Sequence, residues 1–241
     1  MALRYRVGVG STRQRARSVQ DKELRKVALL DAARELAAEQ GVREVTLTAV
    51  TARVGLHPSA LRRYFESREE LLLELAQGGW ADWRDGLLAE LGAARDLEPE
   101  RVAALVAETM VRLPLFCDLL THVALSLEGA VRIERARQYK LAAGGAYDRM
   151  VVAVVTASAD LDKVAAQLLL TGAMTIGAYL YQLSQPTETL RRLYEEQPRW
   201  AHTALHFREQ LTTLLTTIAL GARPGVRPDV GGPLPDVVAG G

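Results

Sequence analysis

The chain has 241 residues, 49 % hydrophobic and 24 % charged, with a formal net charge of +1. That length is ample for a packed core, either as one large domain or as a small domain joined to a larger one. No apolar run reaches bilayer-crossing length, and no apolar stretch follows the basic N-terminus as it would in a secretory signal. The one cysteine, Cys117, cannot form an intrachain disulfide. A reducing, cytoplasmic interior is expected, with Cys117 as a buried small hydrophobe.

Charge is unevenly spread. Residues 1–70 hold 14 Lys or Arg and 9 Asp or Glu, a net of +5, and the remainder has a net of −4. Most of the excess lies in the first 26 residues, with Arg4, Arg6, Arg13, Arg15, Arg17, Lys22, Arg25 and Lys26. Such a split points to a polyanion-binding end and a neutral or acidic remainder.

In chain order, residues 1–19 are Gly- and Arg-rich and are expected to be a disordered basic arm. DKELRKVALLDAARELAAEQG then repeats apolar residues at helical spacing and stops at Gly41. Thr46 suits an N-cap for a second helix, TLTAVTARV. Gly55 allows a sharp turn into a third, HPSALRRYF, with Pro58 in its first turn. Ser67 caps a fourth helix running toward Trp80, with Glu69 and Glu70 at its positive end. Further helices are predicted at roughly 80–93, 98–112, 113–127, 129–157, 160–184 and 199–221, with a short one inside Pro186–Tyr194. VVAVV at 151–155 is the only β-like run and lies inside a helical pattern. The Pro/Gly-rich residues 222–241 are expected to be a disordered tail. The fold class is therefore all-α.

Two short helices joined by a tight glycine-containing turn make a helix-turn-helix, whose second helix enters the major groove. Val50, Leu56 and Leu61 are expected to face inward and lock the pair, with Tyr64 and Phe65 anchoring the far end. That leaves His57, Ser59, Ala60, Arg62 and Arg63 on or near the outward face. An arginine there can grip guanine O6 and N7 bidentately. Helix starts attract phosphate, so Thr46 and the Ser67–Arg68 corner suit DNA-backbone contacts.

Residues 24–75 resemble the DNA-binding domain of the tetracycline-repressor (TetR) family. The likeness rests on AARELAAEQG, then T-x(8)-G-L, L-x-x-Y-F and S-R-E-x-L. It implies a domain at 20–67 that binds DNA, followed at 68–221 by a larger helical domain for effector binding and dimerisation. It also implies that Thr46 touches phosphate. Pro58, Ser59, Ala60, Arg62 and Arg63 would form the recognition surface, and Tyr64 and Arg68 would meet the DNA backbone. The chain departs from the family in four ways. Ala49-Val50-Thr51 stands where Asp-Ile-Ala is usual, which puts a larger side chain at a tight helix contact. His57 replaces the usual Ser or Thr cap. Pro58 replaces a residue that is often basic, and Arg62 stands where tyrosine is common.

AAQLLLTGAMTIGAYLYQL (165–183) is apolar nearly all round and needs cover. With the last helix it suits a four-helix bundle about a two-fold axis. The expected dimer residues are Gly172, Ile176, Leu180, Leu211, Leu214, Leu215 and Ile218. An effector pocket among the middle helices would draw on Trp80, Trp83, Phe116, Cys117, Leu120, His122, Tyr147, Met150, Met174 and Tyr179, and would suit a hydrophobic ligand. His202 and His206 have metal-compatible spacing but no third ligand, so no metal and no cofactor are expected. Glu195 and Glu196 read as surface. No nucleophile elbow, phosphate loop or acid–base pair supports an enzyme.

The expected function is a homodimeric regulator that binds double-stranded DNA at a palindromic operator and is released by a small molecule. It is not a membrane protein. The alternatives are a helical dimerising adaptor that has lost DNA binding, and a ligand-dependent activator. Repression and activation differ only in where the operator lies.

Overall fold

The computed structural model describes residues 10–203 and 206–227; within these, the side chains of residues 10–19, Pro58, His202 and Thr203 are outside the description. The described residues form helices α1 (Gly10–Gln40), α2 (Leu47–Arg53), α3 (Pro58–Leu61), α4 (Arg68–Leu91), α5 (Pro99–Val111), α6 (Pro114–His122), α7 (Ile133–Ala157), α8 (Lys163–Ser184), α9 (Glu188–Glu196) and α10 (Phe207–Gly221), with no strand among them. VVAVV lies within α7. The chain divides into two compact units, Met1–Arg68 and Glu69–Gly241.

The first unit is built on the C-terminal half of α1. Leu29, Ala32, Ala33, Leu36 and Ala37 are buried at helical spacing, and Val42, Val45, Val50, Leu61 and Phe65 complete the core. Gly41 ends α1 with φ +87°, a conformation open to glycine. Part of the stretch 1–19, expected to be a disordered arm, lies in α1. Helix begins at Gly10, because the Arg- and Gln-rich run that lacks a core pattern still favours helix.

In the second unit α10 packs on α5 and α8, and α8 also packs on α5, α6 and α7. By length and composition α8 is apolar enough to cross a bilayer, contrary to the reading of the bare sequence. Its neighbours within the unit bury 44 % of that apolar window. Helices expected to meet at Trp80 are one continuous α4. Gly79 serves packing there: a methyl at Gly79 would lie 2.3 Å from Phe116 Cδ2. The predicted 113–127 helix is α6 followed by a π turn at Val123–Leu127. The predicted 199–221 helix is a short 3-10 segment, Pro198–Thr203, followed by α10.

The expected tail is also corrected at its start. Ala222 is buried, and both terminal nitrogens of Arg227 reach the Asp162 carboxylate at 3.1 and 3.2 Å. Residues 1–9 and 228–241, on which the rest of the arm and tail expectations fall, lie outside the described residues.

Candidate nucleic-acid interface

Thr46 caps α2 by accepting a hydrogen bond from the Ala49 N–H at 3.1 Å. The helix ends at Arg53, two residues before Gly55, whose φ of +67° bends the chain sharply, and the Leu56 N–H closes the turn on the Thr51 carbonyl at 2.9 Å. Thr51 is fully buried. Its hydroxyl lies 3.0 Å from both the Leu47 and the Thr48 carbonyls, so the group that replaces a smaller alanine is satisfied inside its own helix.

His57 is a working cap. Its Nδ1 accepts from the Ser59 N–H at 3.3 Å and lies 2.9 Å from the Ser59 hydroxyl. An accepting Nδ1 leaves the proton on Nε2, on the exposed side chain. α3 itself is only Pro58–Leu61; Arg62 to Tyr64 continue as a turn, and the Phe65 N–H bonds to the Leu61 carbonyl at 3.0 Å. The short helix is fixed from below, since Leu61 and Phe65 are buried and Leu56 and Tyr64 half-buried.

His57, Ser59, Arg62 and Arg63 are exposed, and Ala60 is half-buried beside them. The arginines of this unit divide clearly. Arg53 holds Glu39 with two bonds of 2.7 Å and also reaches Glu35. Arg34 pairs with Asp31. Among the described residues, no hydrogen bond or ion pair holds the side chain of either Arg62 or Arg63. Two adjacent guanidiniums thus stand in solvent at the end of a capped helix, with their donors uncommitted.

The two short helices and the glycine turn between them form a helix-turn-helix. Residues 29–75 match the bacterial regulatory proteins of the tetR family. Residues 77–225, more than half of the chain, match the tetracyclin repressor-like C-terminal domain.

The chain belongs to the tetracycline-repressor family.

It is a transcriptional regulator of that family and no enzyme. A stretch of 83 residues is 34 % identical to the HTH-type transcriptional regulator BetI of Rhizobium meliloti (strain 1021), covering 34 % of this chain and 40 % of that relative. Less than half of that relative's length is therefore matched. In fold, the regulator resembles a TetR/AcrR-family transcriptional regulator from Thermobifida fusca YX-ER1, with TM-score 0.52 and 21 % identity over 80 % of this chain and 96 % of the other. It also resembles the fatty acid degradation regulator FadR from Bacillus halodurans, with TM-score 0.50 and 15 % identity over 84 % and 96 %.

Arg68 departs from its expected role on the DNA backbone. Its Nε donates to the Val45 carbonyl and its Nη2 to those of Val42 (2.7 Å) and Arg43 (3.1 Å). The regulator uses this guanidinium to tie down the α1–α2 connection. Its acceptors lie 23 to 26 residues upstream, and no local sequence signal announces them. Pro58's side chain, expected on the reading face, lies outside the described residues.

The predicted effector residues gather as core. Trp80, Trp83 and Phe116 stack with ring centroids 5.4–6.1 Å apart. Trp80 donates to the Tyr139 hydroxyl at 2.9 Å and Trp83 to Thr109 at 3.2 Å. Tyr139 was not anticipated; burial pushes its hydroxyl up to about 12. Burial likewise pushes the Cys117 thiol up to about 12, so it is not a reactive thiolate at neutral pH. Leu120, Tyr147 and Met150 are buried as well, and Tyr147 bonds across to α8 through the Gln167 carbonyl and the Thr171 hydroxyl. Met174 is half-buried. His122, also half-buried, has its Nε2 3.4 Å from Asp118. Asp118 in turn accepts from Gln182 at 2.8 Å. Tyr179 corrects the expectation: it is 65 % exposed and lines no interior space. A shallow groove does lie on α4 and α7, lined by Leu88, Asp148, Arg149, Val152 and Ala153, none of them predicted.

The expected dimer residues also divide. Gly172, Leu180, Leu211 and Leu215 are buried within the chain itself. Gly172 lets α10 approach α8, since a methyl there would lie 2.7 Å from Ile218 Cδ1. Ile176 and Ile218 are half-buried and Leu214 is 42 % exposed. His206 is exposed; the side chain of His202 lies outside the described residues.

Proposed function

We propose that this regulator is a homodimeric, cytoplasmic repressor that reads a palindromic operator with Arg62 and Arg63 and leaves it when a small hydrophobic ligand binds the second unit. The observation that carries the reading is the pair of uncommitted guanidiniums at the end of α3. Of the other described arginines in this unit, Arg34, Arg53 and Arg68 are committed to their own chain. A helix of the adaptor class, freed from DNA, has no use for two desolvation-ready bidentate donors side by side.

Dimerisation is supported by the apolar strip that α8 and α10 leave open. Tyr179, Leu214, Ile176 and Ile218 keep exposure that one chain does not cover. A two-fold pairing there would place two reading helices on one duplex. Ligand release requires that the ligand bind the non-reading conformation more tightly than the reading one. The aromatic cluster of Trp80, Trp83 and Phe116 is the apolar material such a ligand would displace.

The test is selection of bound duplexes from a random library, followed by footprinting of the winning sequence and a size measurement in solution. The reading expects an inverted repeat whose half-sites lie one helical turn or a multiple apart, bound by two subunits. Enrichment of no sequence, or binding by a single subunit, overturns it. A reporter carrying that sequence in its promoter then reads the sign: deletion of the regulator raises expression if it represses and lowers it if it activates.

A further inference from the structure

From Gly10 the basic arm of the sequence is part of α1, continuous with the helix that carries the core of the reading unit. Among the described side chains of α1, the first fully buried one is Leu29. From Gln20 to Ala28 every residue is exposed except half-buried Lys26. The stretch from Gly10 to Ala28 is about 28 Å long at the helical rise. From residue 10 to residue 26 it carries six Lys or Arg (Arg13, Arg15, Arg17, Lys22, Arg25, Lys26) against Asp21 and Glu23, a net of +4. Among the described residues, Lys22 and Arg25 have no hydrogen-bond or ion-pair partner.

Where this helix leaves the core matters most. Lys26 Nζ lies 5.8 Å above the centre of the Phe65 ring. Phe65 is the buried residue that closes the Arg62–Arg63–Tyr64 turn. The basic extension therefore departs beside the end of the reading segment, within the same compact unit.

We infer that the first half of α1 is a second DNA-binding element, which lies along the phosphates of the duplex that Arg62 and Arg63 read. This rests on the DNA-reading assignment above and extends it. The chemistry is charge complementarity: about 28 Å of duplex axis carries on the order of 16 phosphate charges. From Gln20 to Ala28 the helix presents no core face and gains little from its own chain, and the like charges of the extension repel one another. Phosphates relieve that repulsion and release counterions. Contacts of this kind position the protein and add affinity without choosing bases.

The experiment compares the full chain with the triple variant Arg13→Gln, Arg15→Gln, Arg17→Gln, and with Arg13→Lys, Arg15→Lys, Arg17→Lys. Glutamine keeps helix propensity and removes charge; lysine keeps both. Affinity is measured by fluorescence anisotropy against salt concentration, on the selected operator duplex and on a random duplex. The glutamine variant is expected to flatten the log–log salt slope by about 2–3 per subunit. It should lose the same factor in affinity on both duplexes, while the lysine variant keeps the parent slope. An unchanged slope in the glutamine variant overturns the inference, as does an equal loss in the lysine variant. Failure of the operator assignment is separate: it shows as no preference of the parent chain for the selected duplex, and the slope comparison on random duplex still decides the role of the extension.

Discussion

Arg68 and Val45 are joined across the first unit: the guanidinium at the start of α4 donates to the carbonyl that follows the short turn after α1, and its other nitrogen reaches Val42. Arg68→Ala therefore leaves carbonyl groups of a partly buried loop without their donor. Hydrogen bonds from a charged donor contribute about 1.5–3 kcal/mol. The variant is expected to lose stability of that order in chemical denaturation. The salt slope of its DNA binding should stay that of the parent. A flattened slope with unchanged stability would return Arg68 to the DNA backbone.

The Arg53–Glu39 pair sets a pH dependence. The hydrogen bond from Arg53 holds the Glu39 carboxyl below its ordinary 4.5. A lowered folded value means the unfolded chain takes up its proton first as pH falls. The stabilisation is therefore present above about pH 4.5 and is lost as pH drops through the lower folded value. Glu39→Gln should be less stable than the parent near neutrality, and the two denaturation midpoints should converge in acid. Both groups are exposed, so added salt should also narrow the gap.

Gly79 and Phe116 give a packing prediction. Alanine in a helix interior gains about 1 kcal/mol over glycine in propensity. Here the new methyl would meet ring atoms at 2.3 and 2.8 Å, and the ring is held between Trp80 and Trp83. Overpacking a fixed core costs about 1–3 kcal/mol. Gly79→Ala is thus expected to lower the melting temperature despite its better propensity. Phe116→Leu in the same chain should recover part of the loss, because the smaller side chain vacates the contact. A rise in melting temperature for Gly79→Ala alone would show that the ring moves freely.

What the sequence discloses depends on how far each signal reaches. Thr46, Gly55 and Pro58 act on neighbours within a few residues, so the turn and both helix starts were legible. Arg68 was visible as a charge, but its acceptors are remote in sequence, and its partner was not. The apolar stripes of α8 and α10 looked alike whether covered from inside or outside. Only the packing of α5 against α10 shows that Leu211 and Leu215 are core while Leu214 is not. Gly79 admits the Phe116 ring, a role that propensity alone does not register. The extension at the start of α1 read as disorder because helices without a core face carry no apolar period.

The reading residues make the sharpest prediction. Arg62 and Arg63 are adjacent, exposed and uncommitted, but the i to i−3 bonds of the turn that carries them set successive residues about 120° apart. Both cannot address the same base pair edge on. One is expected to read bases and the other to clamp phosphate. Loss of the reader costs about 1–3 kcal/mol and relaxes preference at one position of each half-site. Loss of the clamp weakens all duplexes alike and reduces the salt slope by about 1 per subunit. Arg62→Ala and Arg63→Ala, each measured on the operator and on single-base variants of it, separate the two roles. If both substitutions weaken operator and random duplex by the same factor, base discrimination comes from elsewhere, and the exposed His57 and Ser59 at the start of α3 become the residues to change next.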